Sequence, residues 1–248
     1  MAPNLKALAD QVIVLTGASS GIGLCTAQLA AQQGARLVLI ASSTRVLETL
    51  VSMIGASGGD AICIAVNVAV REQVTAAARG AAAHFGRIDT WVNNAGLSLY
   101  GRLDQVTEAE SRRVFDVNFW GVVNGSLAAL PYLLGGGALI NVGSELPEGD
   151  LPLQGMYSSS KHAVRGFTQA LRAELVDVDQ APISITLVQP SAPDVRYPCH
   201  ESSDAGHWKN EAASPALDPM LVAEAILKAA VEGPRELRVT QQRSSRPA

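Results

Sequence analysis

Short runs of branched apolar residues alternate along the chain with longer stretches in which Ala, Leu and Val recur at helical spacing. The runs 12–16, 37–41, 61–67, 89–93, 138–143 and 183–189 read as strands, with a weaker one at 237–240. Between them, 22–33, 44–54, 71–85, 108–133, 157–178 and 219–231 read as helices. Most of the strand runs are too uniformly apolar for a sheet with one wet face, so helices must cover both faces. The alternation predicts an α/β fold: a doubly wound, Rossmann-type parallel sheet of about seven strands in a single domain spanning 1–248. The pattern breaks after residue 190. From Ser191 to Pro219 the chain turns polar, and Pro193, Pro198, Pro215 and Pro219 interrupt any long element. A loop of that length in a compact domain is usually functional, so 191–218 is expected to form a lid over a substrate. Residues 241–248, QQRSSRPA, are expected to be a frayed tail.

Composition narrows the function. At 248 residues the chain fits one α/β domain, and 48% hydrophobic against 17% charged residues suits a sheet buried on both sides. With a net charge of −4 and no Lys/Arg cluster, nucleic acid is not an expected partner. No stretch approaches the ~18 apolar residues of a membrane span, and the start MAPNLKALADQ has no signal-peptide core. The expectation is therefore a cytoplasmic protein with no membrane partner. Cys25, Cys63 and Cys199 are odd in number and lack metal spacing. Neither do His84, His162, His200 and His207 have a partner at such spacing, so no metal site is expected.

The first strand runs into Thr16, Gly17, Ala18, Ser19, Ser20, Gly21, Ile22 and Gly23, and then into a helix. Glycines at such a turn let the backbone bend sharply and approach a pyrophosphate, whose charge the helix N-terminal amides stabilise. A purely structural strand-to-helix turn is the alternative. Further on, Tyr157 and Lys161 lie four residues apart in a helical stretch, so both project from one face. A phenol exchanges protons poorly near neutrality, and an adjacent ammonium favours its ionised form. Ser144 follows the fifth run, at the sheet edge where open α/β sheets bind ligands, and can donate to a developing oxyanion.

The series Thr16 to Gly23, then Asn93-Asn94-Ala95-Gly96, Asn118, Ser144 and Tyr157-Ser158-Ser159-Ser160-Lys161 resembles the short-chain dehydrogenase/reductase family over about residues 8–190. The resemblance implies a hydride transfer between a nicotinamide cofactor and a ketone or secondary alcohol. It implies that Tyr157 is the acid/base, Lys161 its modulator and nicotinamide-ribose ligand, Ser144 the carbonyl donor, and Asn118 the holder of a relay water. For the cofactor it implies contacts from Gly17, Ser19, Ser20, Gly21, Ile22 and Gly23. Asn67 and Val68 at the third strand, Asn94, Ala95 and Gly96 after the fourth, and Pro190 after the sixth complete that set. Family members usually carry Asp where Asn67 stands, and Pro-Gly followed by Thr where this chain has Pro190-Ser191 and Val195-Arg196. Ser191 could substitute as the donor to the nicotinamide carboxamide. The same resemblance implies pairing of helices 108–133 and 157–178 between subunits, hence a homodimer or homotetramer.

Cofactor choice falls at the end of the second strand, where a carboxylate would bond both ribose hydroxyls and repel a 2'-phosphate. Here Ser42, Ser43, Thr44 and Arg45 stand, which favours NADP(H) over NAD(H); helix capping with a solvated arginine is the alternative. Leu151, Leu153, Met156, Tyr197 and Trp208 suggest a small or medium hydrophobic substrate. The rival from another class is a dinucleotide-binding regulatory or scaffold protein with little turnover, which the altered 190–196 segment would suit.

Overall fold

The computed structural model describes residues 3–145, 152–191 and 217–240, with 199–201 as backbone alone. Its centre is a seven-stranded sheet of β1 (Val12–Thr16), β2 (Arg36–Ala41), β3 (Ala61–Ala65), β4 (Thr90–Asn93), β6 (Gly137–Val142), β7 (Ile183–Pro190) and β9 (Glu236–Val239). The strands lie in the order β3-β2-β1-β4-β6-β7-β9, and each neighbouring pair is parallel. The order reverses between β1 and β4, and such a switch point opens a crevice at the carboxyl ends of the strands. All seven expected strands are present. A second, two-stranded sheet, which the pattern did not predict, joins β5 (Ser98–Tyr100) to β8 (Cys199–Glu201).

Strand alternation sends successive side chains to opposite faces, and here both faces are dry. Ile13, Leu15, Leu37 and Leu39 pack with Ile22, Val222 and Ile226 of α1 (Gly21–Gln32) and α7 (Pro219–Glu232). Val14, Val38, Ile40 and Leu139 face the other way, against Ala78 and Ala129 of α3 (Arg71–Phe85) and α5 (Gly121–Leu133). The remaining helices are α2 (Arg45–Ala56), α4 (Glu108–Phe115) and α6 (Gly155–Arg172). Local chemistry sets several of the ends. A Thr107/Glu110 capping box opens α4, Asp218 caps α7 ahead of Pro219, and Gly86 and Gly233 close α3 and α7 in the left-handed conformation. The single helix expected over 108–133 is interrupted by a π-helical segment, Asp116–Trp120, and that expected over 157–178 ends in another, Ala173–Val178. No described helix is long and apolar enough to cross a membrane.

Candidate active site

The first strand and the fourth end side by side, and their two turns are locked together. Thr16 Oγ1 accepts from the backbone N–H of Asn94 at 2.9 Å and of Ala95 at 3.1 Å. The Asn94 amide donates to the carbonyls of Thr16 at 3.0 Å and Gly17 at 3.2 Å. Gly17 has φ +69°, and a Cβ there would stand 2.8 Å from the Ala95 Cα. At Gly23 a Cβ would stand 2.0 Å from the Gly17 carbonyl oxygen. Close backbone packing of turn against helix, more than flexibility, therefore demands these glycines. Gly23→Ala is expected to lower the Tm by several degrees, the equivalent of about 1–3 kcal/mol of overpacking, and to weaken dinucleotide binding; a melting curve with a binding titration checks both.

This turn forms one wall of a cleft of about 440 Å3. Gly17, Ser19, Ser20 and Ile22 lie along it, Ser42 stands at the end of β2, Asn67 and Val68 after β3, and Asn94, Ala95 and Gly96 after β4. Ser20 precedes α1 without capping it through its side chain, so the first amides of that helix have no side-chain acceptor. The Oδ1 of Asn94 is buried without a hydrogen-bond partner among the described residues, an acceptor left for a ligand hydroxyl. Open amides and an orphaned acceptor fit a dinucleotide in this cleft.

Other expected residues fall elsewhere. Gly21 and Gly23 shape the turn from behind, while Ser43 and Arg45 are exposed and do not line the cleft. Thr44 makes no side-chain cap to α2, contrary to the capping alternative. Pro190 ends β7 opposite Val239. The Ser191 hydroxyl donates to the Val239 carbonyl at 3.0 Å, so it is engaged in joining strands. Val195, Arg196, Leu151, Tyr197 and Trp208 lie outside the described residues, as does most of the 191–218 lid and all of the 241–248 tail. Sequence reasoning missed the opposite wall of the cleft, made by Ala109, Arg112, Arg113, Asp116 and Val117 on α4 and the π segment.

The four candidate catalytic side chains converge where α6 meets the ends of β4 and β6. Asn118 is fully buried at the centre of the π segment, a device that recurs at functional sites. Its Oδ1 accepts from the Leu97 N–H at 2.7 Å, and its Nδ2 donates to the Leu97 carbonyl at 2.9 Å and to Ser160 Oγ at 3.0 Å. The Ser160 hydroxyl in turn donates to the Tyr157 carbonyl at 2.7 Å. Asn118 thus ties the strand-end loop to the helix of Tyr157, and both its amide hydrogens are used. Neither Leu97 nor Ser160 was singled out from the sequence: Leu97 bonds through its backbone, which carries no residue-type signal, and Ser160 is one of three consecutive serines.

Tyr157 and Lys161 do share one face of α6, and both are buried. The Lys161 ammonium donates to the Val142 carbonyl at 3.0 Å and sits 5.9 Å from the Tyr157 ring centre. Tyr157 and Ser144 hydrogen-bond through their hydroxyls, which favours the phenolate, but burial outweighs this and the phenol is pushed up to about 12, with Tyr100 adding to the rise. Burial pushes the ammonium down to about 8. The expected lowering of the phenol by its lysine is therefore not what this environment produces: desolvation dominates both groups. Near neutral pH the phenol keeps its proton.

The chain matches the family model of the short chain dehydrogenases over residues 11–198. It belongs to that family and is an oxidoreductase of the short-chain dehydrogenase/reductase type. It is 43% identical over 242 residues to the uncharacterized oxidoreductase YxnA of Bacillus subtilis, covering 96% of this chain and 68% of that protein. Among solved structures it resembles an alcohol dehydrogenase from the archaeon Thermococcus sibiricus complexed with 5-hydroxy-NADP, with TM-score 0.80 and 26% identity over 96% of this chain and 99% of the other. A short chain dehydrogenase/reductase from Burkholderia phymatum in complex with NAD gives TM-score 0.82 and 27% identity over 94% and 90%.

Proposed function

We propose that this protein reduces a ketone to a secondary alcohol, or the reverse, with NADP(H) preferred over NAD(H) and Tyr157 as the proton donor and acceptor. The convergence of Tyr157, Ser144, Lys161 and Asn118 next to Leu97 and Val117 of the cleft wall carries this reading. When bound, the nicotinamide supplies or accepts the hydride. The protein's own part is to hold the carbonyl oxygen and move one proton. Ser144 donates a hydrogen bond to that oxygen and steadies its developing charge. Tyr157, protonated near neutrality, hands its proton to the same oxygen. Lys161 places a positive charge beside the resulting phenolate, and Asn118 positions the Tyr157 backbone through Ser160. Half-buried Leu153 and Met156 precede Tyr157 and support an apolar substrate.

The preference for NADP(H) is supported by Ser42, a hydroxyl where a carboxylate would repel a 2'-phosphate, and by the absence of any acidic residue on that wall among the described residues. Wild type is expected to bind NADPH more tightly than NADH, and Ser42→Asp to reverse the order. Parallel fluorescence titrations check this, and an unchanged order in the variant would remove Ser42 from the choice.

The molecule is also proposed to form a homodimer or homotetramer. Trp120, Leu127 and Leu134 are exposed at seven-residue intervals along one side of the α5 region, a stripe that a monomer leaves wet. Trp120→Glu is expected to shift the protein toward monomer in sedimentation velocity; a wild type already monomeric at micromolar concentration would contradict the assignment.

A further inference from the structure

The wall of the cleft opposite the glycine turn carries three charged groups, on Arg112, Arg113 and Asp116, that the motif series does not explain. Ala109, Arg113, Asp116 and Val117 stand at i, i+4, i+7 and i+8, one side of the run from α4 into the π segment, and all line the cleft. The neighbouring Arg112 is held by Glu108, its Nε donating at 2.8 Å. Arg113 and Asp116 are exposed, and among the described residues neither side chain makes a hydrogen bond or ion pair. Opposite charges three residues apart on one helix face ordinarily meet. Here both stay open toward the same cavity.

Across the cleft, Asn67 is turned into its own loop. Its Oδ1 accepts from the Ala69 N–H at 3.1 Å, and its backbone N–H donates to Gln73 Oε1 at 2.8 Å. A dinucleotide whose pyrophosphate lies at the start of α1 and whose adenosine ribose borders Ser42 must place its base beyond them. There Val68 and Val117 offer apolar surface to the ring faces. The ring edge needs an acceptor for its 6-amino group and a donor for a ring nitrogen, and a carboxylate and a guanidinium are such a pair.

We infer that Asp116 reads the adenine, accepting a hydrogen bond from its 6-amino group, while Arg113 one turn earlier donates to a ring nitrogen. This rests on the dinucleotide reading of the cleft. A carboxylate can only accept, so it favours an amino group at that position and opposes a carbonyl oxygen. Adenine is thereby distinguished from hypoxanthine from a wall other than that of Asn67.

The test measures dissociation constants by the fluorescence of the reduced nicotinamide, using NADPH and its hypoxanthine analogue, on wild type, Asp116→Ala, Asp116→Asn and Asn67→Ala. Loss of a hydrogen bond to a charged group predicts that wild type binds NADPH about tenfold or more tighter than the analogue. In Asp116→Ala the two ligands are expected to bind nearly equally, whereas Asn67→Ala keeps the wild-type ratio. Asp116→Asn retains the shape and a neutral acceptor, so its ratio falls between, and it serves if the alanine variant melts early. A wild-type ratio near one, or a ratio that collapses in Asn67→Ala and survives in Asp116→Ala, overturns the inference. Wild type binding neither ligand would remove the dinucleotide reading itself, and the inference with it.

Discussion

Tyr157→Phe is expected to reduce carbonyl turnover by roughly 10^3-fold, the scale of a lost general acid, while leaving NADPH affinity within about twofold of wild type. The substitution removes one oxygen from a buried ring, so packing on α6 persists and the Tm should change little. What is lost is the phenolic proton of the side chain that hydrogen-bonds Ser144. Single-turnover measurements with NADPH preloaded separate the two quantities. If turnover survives in the phenylalanine variant, the proton comes from elsewhere, and the assignment of Tyr157 fails. If turnover and NADPH affinity fall together, its role is structural.

Lys161→Met is expected to abolish turnover and yet stabilise the protein at pH 7. Burial lowers the ammonium from 10.5 to about 8, so the fold works against this charge. The shift corresponds to about 3 kcal/mol, and loss of the bond to the Val142 carbonyl offsets about 1 kcal/mol of it. The sign follows from proton counts. Below about pH 8 folded and unfolded chains both hold the proton, and the full penalty is present. Between about 8 and 10.5 the unfolded chain binds more protons, so wild-type stability rises with pH. Tyr157 acts oppositely: its raised value supplies stability that is intact below 10 and lost as pH climbs toward about 12. Denaturation curves from pH 7 to 10 should therefore show a rise in wild type that is absent in Lys161→Met. A methionine variant less stable than wild type at pH 7, with the same pH slope, would show that the ammonium is not penalised.

Much of this was legible in the chain. Most of the strands could be read because they are apolar on both faces, a pattern only a doubly covered sheet uses, whereas β9, with Glu236 and Arg238 on one face, gave only a weak signal. The glycine turn and the Tyr157/Lys161 pair could be read because their spacing is chemically constrained. The small β5/β8 sheet could not: three-residue strands carry no periodicity, and one lies in the polar stretch after residue 190. The π segment at Asn118 was invisible for a related reason, since one extra residue in a helical turn leaves the composition unchanged. Arg113 and Asp116 escaped notice because charges on a helix look like a solvated face until the fold sets a cleft beside them. Arg45 runs the other way: the sequence placed it at the cofactor wall after β2, where Ser42 lines the cavity and Arg45 does not. The direction of the Tyr157 shift was missed because sequence shows the neighbouring ammonium and not the depth of burial around both groups.

Most of the expected lid lies outside the described residues, but two pairings of the 191–218 stretch with the rest of the chain are visible. Glu145 and Ser191 form a parallel bridge beside Ser144, and the 199–201 strand lies along Ser98–Tyr100, close to Tyr157.

The most direct measurement is a titration of the purified wild-type protein with NADPH and NADH, followed by NADPH oxidation against a panel of ketones and aldehydes. Saturable binding, tighter for NADPH, and oxidation that requires a carbonyl substrate are expected. Absence of binding to either dinucleotide, or binding with no oxidation across the panel, would contradict it.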